Sequence, residues 1–117
     1  MRFLILILIL MTNDDAAWDA LPAAKQARVM VEHGGCEEAL RAGGHWLDSW
    51  RLRPAAEARA ETRSASGAFR TVFGAAAGGA QFGGAYLIEA VSMEEAQAWA
   101  RRLRFIAGAN EVREVWE

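Results

Sequence analysis

Cysteine, histidine and lysine are scarce in this chain of 117 residues. It has one cysteine, Cys36, two histidines, His33 and His45, and one lysine, Lys25. One cysteine cannot form an internal disulfide, and one cysteine with two histidines is a poor donor set for a usual zinc site. The sequence therefore predicts a protein without a metal or cofactor, and we expect it in the reducing cytoplasm.

The chain also lacks an excess of positive charge and a long apolar run. Its formal net charge is −2, which argues against a nucleic-acid binder. The apolar run 3–11 is far shorter than the roughly 20 residues that span a bilayer, and the polar residues 12–15 after it do not form a signal-peptide cleavage site. We expect no membrane association, and we interpret the run as a strand buried on both faces, because both of its parities are apolar.

A composition of 53% hydrophobic residues is enough to bury one core, so 1–117 is predicted to be a single domain. Periodicity and turn residues predict six strands, two helices and a glycine-rich loop. The predicted strands are 2–11, 45–53, 57–64, 69–73, 85–91 and 111–116, the predicted helices are 23–42 and 92–107, and the predicted loop is 74–84. This order predicts an α+β, ferredoxin-like (split βαβ) fold with a β-hairpin inserted in its middle.

Two of the predicted strands, 2–11 and 85–91, are apolar on both faces, although both helices of such a fold cover the same face of the sheet. The uncovered face needs another partner. A second copy of the chain in a closed two-fold homodimer satisfies this need, and so does a pocket for a small-molecule ligand. The two alternatives are compatible, since pockets often lie between subunits.

Several segments of the sequence resemble a known family. These segments are the opening strand, 37–45 (EEALRAGGH), 83–90 (GGAYLIEA), 93–100 (MEEAQAWA) and 111–116 (EVREVW). With them the chain is similar to the YCII-related family, in its DGPF-domain branch of the dimeric α/β-barrel group. The Asp-Gly-Pro-Phe motif that names the branch is missing, because 71–82 contains no Asp, Glu or Pro.

The resemblance implies a homodimer through the sheet face. It also implies an acid–base pair formed by a histidine of the first helix and an aspartate. His33 occupies a comparable helix position, and Asp48 is the nearest candidate for its partner. The family's reactions are mostly undefined, so the resemblance names no substrate.

The residues themselves leave both interpretations of His33 open. It shares a stripe of the first helix with Val29, Cys36 and Leu40, where it is either a general base near neutral pH or a hydrogen-bonded core histidine. Asp48, placed by strand parity with two tryptophans, is either its acidic partner or an acid at a strand end that pairs with an arginine.

The candidate ligand-binding residues are Arg51, Gly83, Gly84 and Tyr86. Arg51 could hold an anionic group by forked hydrogen bonds, or it belongs to a solvated face. The glycine pair closes the loop 74–84, which is interpreted as the mouth of a pocket or as an ordinary surface loop. The loop contains no phosphate-binding signature, since no Gly-Lys-Ser/Thr ending follows it.

Two functions follow from the sequence. The first is a metal-independent small-molecule enzyme that uses His33 as acid or base. The second is a non-catalytic small-ligand-binding or regulatory dimer that has lost the family's acidic loop. Substrate, reaction and protein partner are not encoded in any motif of the chain.

Overall fold

The computed structural model describes residues 1–9, 20–53, 55–74, 81–103 and 109–116. Over these residues the elements follow one another in the predicted order. The strands are β1 (Arg2–Ile9), β2 (Trp46–Arg51), β3 (Arg59–Arg63), β4 (Phe69–Phe73), β5 (Gln81–Glu89) and β6 (Ala109–Glu114), and the helices are α1 (Ala23–Ala42) and α2 (Met93–Leu103). A short 3-10 helix, Ala55–Glu57, precedes β3.

The main sheet has four strands in the order β2-β5-β1-β6, and all neighbouring strands are antiparallel. In the chain, α1 follows β1 and α2 follows β5, the first and third strands of this sheet. This order is compatible with the ferredoxin-like arrangement. The remaining two strands, β3 and β4, form a separate two-stranded antiparallel sheet.

The core lies between one face of the main sheet and the two helices. This helix-side face carries Phe3 and Ile5 from β1 and Ile88 from β5, all fully buried. The helices contribute the buried residues of their apolar stripes, which are Val29, Cys36 and Leu40 from α1 and Ala96, Ala100 and Leu103 from α2. Burial of each large apolar side chain stabilises the fold by about 1.5–3 kcal/mol, which fixes both helices on this face.

The opposite side of the sheet, here called the second face, is only partly covered. Leu4 and Leu6 of β1 and Leu87 of β5 are half-buried, and Trp50 of β2 is 46% exposed. The expectation that the first strand is buried on both faces therefore holds for one face within a single chain. The second face presents an apolar strip to its surroundings.

Two sequence predictions require correction. Strand β5 begins at Gln81, so the last four residues of the predicted loop 74–84 are strand, while 75–80 lie outside the described residues. In β2, Trp46 pairs with Ile88 but Asp48 pairs with Leu87, which makes Leu47 an extra, bulged residue. Because a bulge shifts the alternation by one, the prediction that Trp46 and Asp48 share a face is wrong.

Candidate functional site at the helix–sheet interface

His33 lies on the side of α1 that faces the main sheet, where it contacts Tyr86 of β5. It belongs to the predicted stripe of α1 and is half-buried, between the fully covered stripe residues and solvent. Its Nε2 atom forms a hydrogen bond with the hydroxyl oxygen of Tyr86. The two rings meet edge to face, with centroids 5.6 Å apart and planes inclined by 62°. The imidazole is thus held at a defined position by a side chain from the sheet.

Tyr86 reaches this position because it lies on the helix-side face of β5, in the same alternation as Ile88. Only 4% of the residue is exposed. Burial raises the pKa of the phenol well above its ordinary value, and the Glu37 carboxylate raises it further, while the Arg41 guanidinium acts in the opposite sense. Tyr86 is therefore protonated at neutral pH and can donate its hydroxyl hydrogen.

His33 is shifted toward its neutral form. Burial is the main reason that its pKa is lowered, since desolvation disfavours the imidazolium. The negative charge of Glu37 raises the pKa, and the positive charge of Arg51 lowers it. A neutral imidazole has one donor and one acceptor nitrogen. In one tautomer Nε2 accepts the phenol hydrogen; in the other, Nε2–H donates to the phenol oxygen and the lone pair on Nδ1 is a base of moderate strength.

A chain of polar contacts continues from Glu37 to the edge strand β2. Arg41 Nη2 donates to Glu37 Oε1 over 2.9 Å, and the Arg41 guanidinium lies 3.7 Å from the centroid of the Trp46 ring. The Trp46 indole N–H donates to Ser49 Oγ at 3.2 Å. These contacts join the C-terminal half of α1 to the helix-side face of β2.

The structure does not bring Asp48 to His33. Asp48 is exposed and pairs with Leu87, so it lies on the second face, whereas His33 packs on the helix-side face. Its Oδ1 atom accepts a hydrogen bond from the main-chain N–H of Ser49 at 2.8 Å. The β2 bulge is the physical reason for this separation, because it turns Asp48 away from the helices.

Arg51 lies on the same face as Tyr86. It pairs with Gly84, two residues from Tyr86 in the alternation of β5, and its side chain is exposed. Its positive charge is close enough to lower the pKa of His33. Arg51 is thus a predicted ligand-binding residue that lies on the same face of the sheet as Tyr86 and has a side chain exposed to solvent.

The glycine pair belongs to β5 and serves strand packing. The carbonyl oxygen of Gly83 accepts a hydrogen bond from the Leu52 N–H at 2.9 Å. A Cβ atom on Gly84 would lie 2.5 Å from the main-chain oxygen of Trp50, closer than a side chain tolerates. Strand contact thus accounts for the glycine at position 84 without a ligand.

Cys36 lies on the same helix stripe and is 2% exposed. Burial raises the pKa of its thiol, and the charge of Glu37 adds to this effect while Arg102 opposes it. The neutral, enclosed thiol behaves as a small apolar side chain, in agreement with the interpretation of Cys36 as a stripe residue.

Sequence reasoning missed Glu37 and Arg41 as neighbours of His33. The signal was present, since the three residues follow one another at intervals of four along a helix and such residues share a face. Within the described ranges, no three His, Cys, Asp or Glu side chains gather into a possible metal site. No helix in the same part of the chain is long and apolar enough to cross a membrane.

The fold and this site define a two-layer α+β protein with a histidine–tyrosine pair between the first helix and the central strand. Residues 4–117 match the family model of the YCII-related domain, and the chain belongs to this family. No curated protein matches the chain.

Proposed function

We propose that this YCII-related protein is a metal-independent small-molecule enzyme in which His33 acts as the general base. The hydrogen bond between His33 and the buried Tyr86 carries the proposal. It holds the imidazole in one orientation, and in the tautomer that donates Nε2–H to the phenol oxygen the basic lone pair is on Nδ1. Burial keeps the ring largely neutral near pH 7, which is the protonation state that a general base requires.

The substrate of this proposal is a small organic anion. Arg51 is the exposed cation on the same face of the sheet, and its planar guanidinium suits a carboxylate or phosphate group. A bound anion would also offset the charge of Arg51, which lowers the pKa of His33, so binding would make the imidazole a stronger base.

A second candidate function is non-catalytic binding of a small ligand at the same place. It is favoured by the engagement of His33 Nε2 with a phenol that is only 4% exposed, an arrangement that also suits a purely structural histidine. In this case Arg51 binds a ligand that undergoes no reaction.

The proposed assembly is a homodimer of the dimeric α/β-barrel type, in which the β3–β4 hairpin is an insertion. The partly exposed apolar strip of the second face supports it, since Leu4, Leu6 and Leu87 gain cover when two copies pack face to face. Light scattering should give twice the mass of one chain for the wild type. The variant Trp50→Glu, which places a charge on the second face, should give the mass of one chain. A monomeric wild type would contradict the dimer.

The proposed location is the cytoplasm. The single cysteine, Cys36, is a buried free thiol, which suits a reducing compartment.

The function is tested by screening small carboxylates and phosphate esters for an increase in thermal stability. A ligand present at 100 times its Kd raises the stability by about 2.7 kcal/mol. Each ligand found is then incubated with the protein, and its conversion is followed by NMR. His33→Gln should abolish conversion while the ligand still binds, and His45→Gln, the matched histidine control, should not.

The outcomes separate the two candidates. Binding without conversion by the wild type identifies a binding module. Conversion at full rate by the His33→Gln variant removes His33 as the base. Arg51→Gln should weaken binding of every anionic ligand, and equal binding would remove Arg51 from the site.

A further inference from the structure

Glu37 lies one helical turn after His33 on α1, and side chains at this spacing are neighbours on a helix surface. It flanks the buried stripe and is half-buried, with 28% of its side chain exposed. Its charge acts on His33, on Cys36 and on Tyr86. It is therefore the carboxylate whose field reaches each titratable side chain of this cluster.

The carboxylate of Glu37 is held from the far side. Arg41 donates to it at 2.9 Å, and Arg41 itself is fixed above the Trp46 ring at 3.7 Å. The Trp46 indole is in turn bonded to Ser49 at 3.2 Å. This chain of contacts limits the movement of the carboxylate, which stays one helical turn from the imidazole.

We propose that Glu37 is the positioning acid of the His33 site, stabilising the imidazolium that forms when His33 accepts a proton. The inference rests on the proposed role of His33 as general base. Glu37 acts through His33, and Arg41 with Trp46 keeps it in place. Asp48, the nearest candidate for the acidic partner in the sequence, lies on the other face of the sheet.

The other groups around His33 do not perform this role. Arg51, from β2, is a cation and disfavours the imidazolium. Tyr86, from β5, and Cys36, on α1, are neutral because burial raises the pKa of each. Arg41 is a second cation and cannot stabilise an imidazolium; its part is to hold the Glu37 carboxylate at 2.9 Å.

The test is an NMR titration of the His33 ring in Glu37→Gln and in Glu38→Gln. The second variant is the matched control, because Glu38 is an exposed acid on the adjacent position of the same helix. Loss of the Glu37 charge should lower the pKa of His33, because the carboxylate raises it in the wild type. Glu38→Gln should leave it unchanged.

Glu37→Asp keeps the charge and should restore most of the wild-type pKa of His33, which a merely structural role would not require. An unchanged His33 pKa in Glu37→Gln, or an equal shift in Glu38→Gln, would overturn the inference. The titration needs no substrate, so its result is independent of whether turnover is found, and failure of the proposed function would be recognised separately from failure of this inference.

Discussion

The hydrogen bond between Tyr86 and His33 can be measured by a double-mutant cycle. Tyr86→Phe removes one oxygen atom from a residue that is 4% exposed and leaves the ring that packs in the core. A hydrogen bond of this kind contributes about 0.5–1.5 kcal/mol net, so we expect Tyr86→Phe to destabilise the fold by about 1 kcal/mol. In the His33→Ala background the partner is gone, and the same change should cost much less.

The assay is urea unfolding monitored by tryptophan fluorescence, since the chain has five tryptophans. With a typical slope of about 2 kcal/mol/M, a loss of 1 kcal/mol lowers the urea midpoint by about 0.5 M. The expected coupling energy of the cycle is about 1 kcal/mol. A control cycle pairs Tyr86→Phe with His45→Ala, because His45 bonds to the Glu89 main-chain carbonyl at 2.9 Å and not to the phenol. This control should be additive within about 0.3–0.5 kcal/mol, and a His33 cycle that is equally additive would refute the proposed bond.

Two further predictions concern pH and glycine. Burial lowers the pKa of His33, so between that lowered value and about 6.5 the unfolded chain binds more protons than the folded one. Stability should therefore rise with pH through this window, and His33→Gln should lose less stability than the wild type when urea unfolding is repeated from pH 7 to pH 5; equal losses would contradict this. A Cβ at Gly84 meets the Trp50 oxygen at 2.5 Å, whereas one at Gly35, in mid-helix, meets nothing within 4 Å. Thermal unfolding should show that Gly84→Ala loses about 1–3 kcal/mol and that Gly35→Ala gains up to about 1 kcal/mol; a gain at Gly84 would show that the close strand contact is absent.

The stripes of both helices could be predicted from the sequence because periodicity reports burial directly. Cys36, Leu40, Ala96 and Leu103 recur at helical spacing, and the structure buries all four. His33 lies on the same stripe, so its position beside the core was also predictable. Its partner was not, because β5 is apolar on both parities and no pattern shows which parity, and hence which face, Tyr86 takes.

The boundary of the glycine loop was harder to predict. Glycine favours turns in sequence reasoning, and both Gly83 and Gly84 were assigned to the loop for that reason. In the structure Gly84 is buried within β5, where it permits close contact with the main chain of β2. Requirements of this kind depend on a neighbouring strand that is distant in sequence, so the local pattern does not contain them.

The position of the acid was decided by a single extra residue. In an unbulged β2, strict alternation would place Trp46 and Asp48 together on the helix-side face. Leu47 occupies the extra position, so Trp46 remains on that face and supports Arg41, while Asp48 turns to the second face. A carboxylate beside His33 then has to come from the helix, and Glu37 is at the helical spacing that supplies it. Asp48 instead lies on the face where we propose that a second copy packs, so we expect its charge to bear on that assembly, whereas we propose that the charge of Glu37 bears on proton transfer at His33.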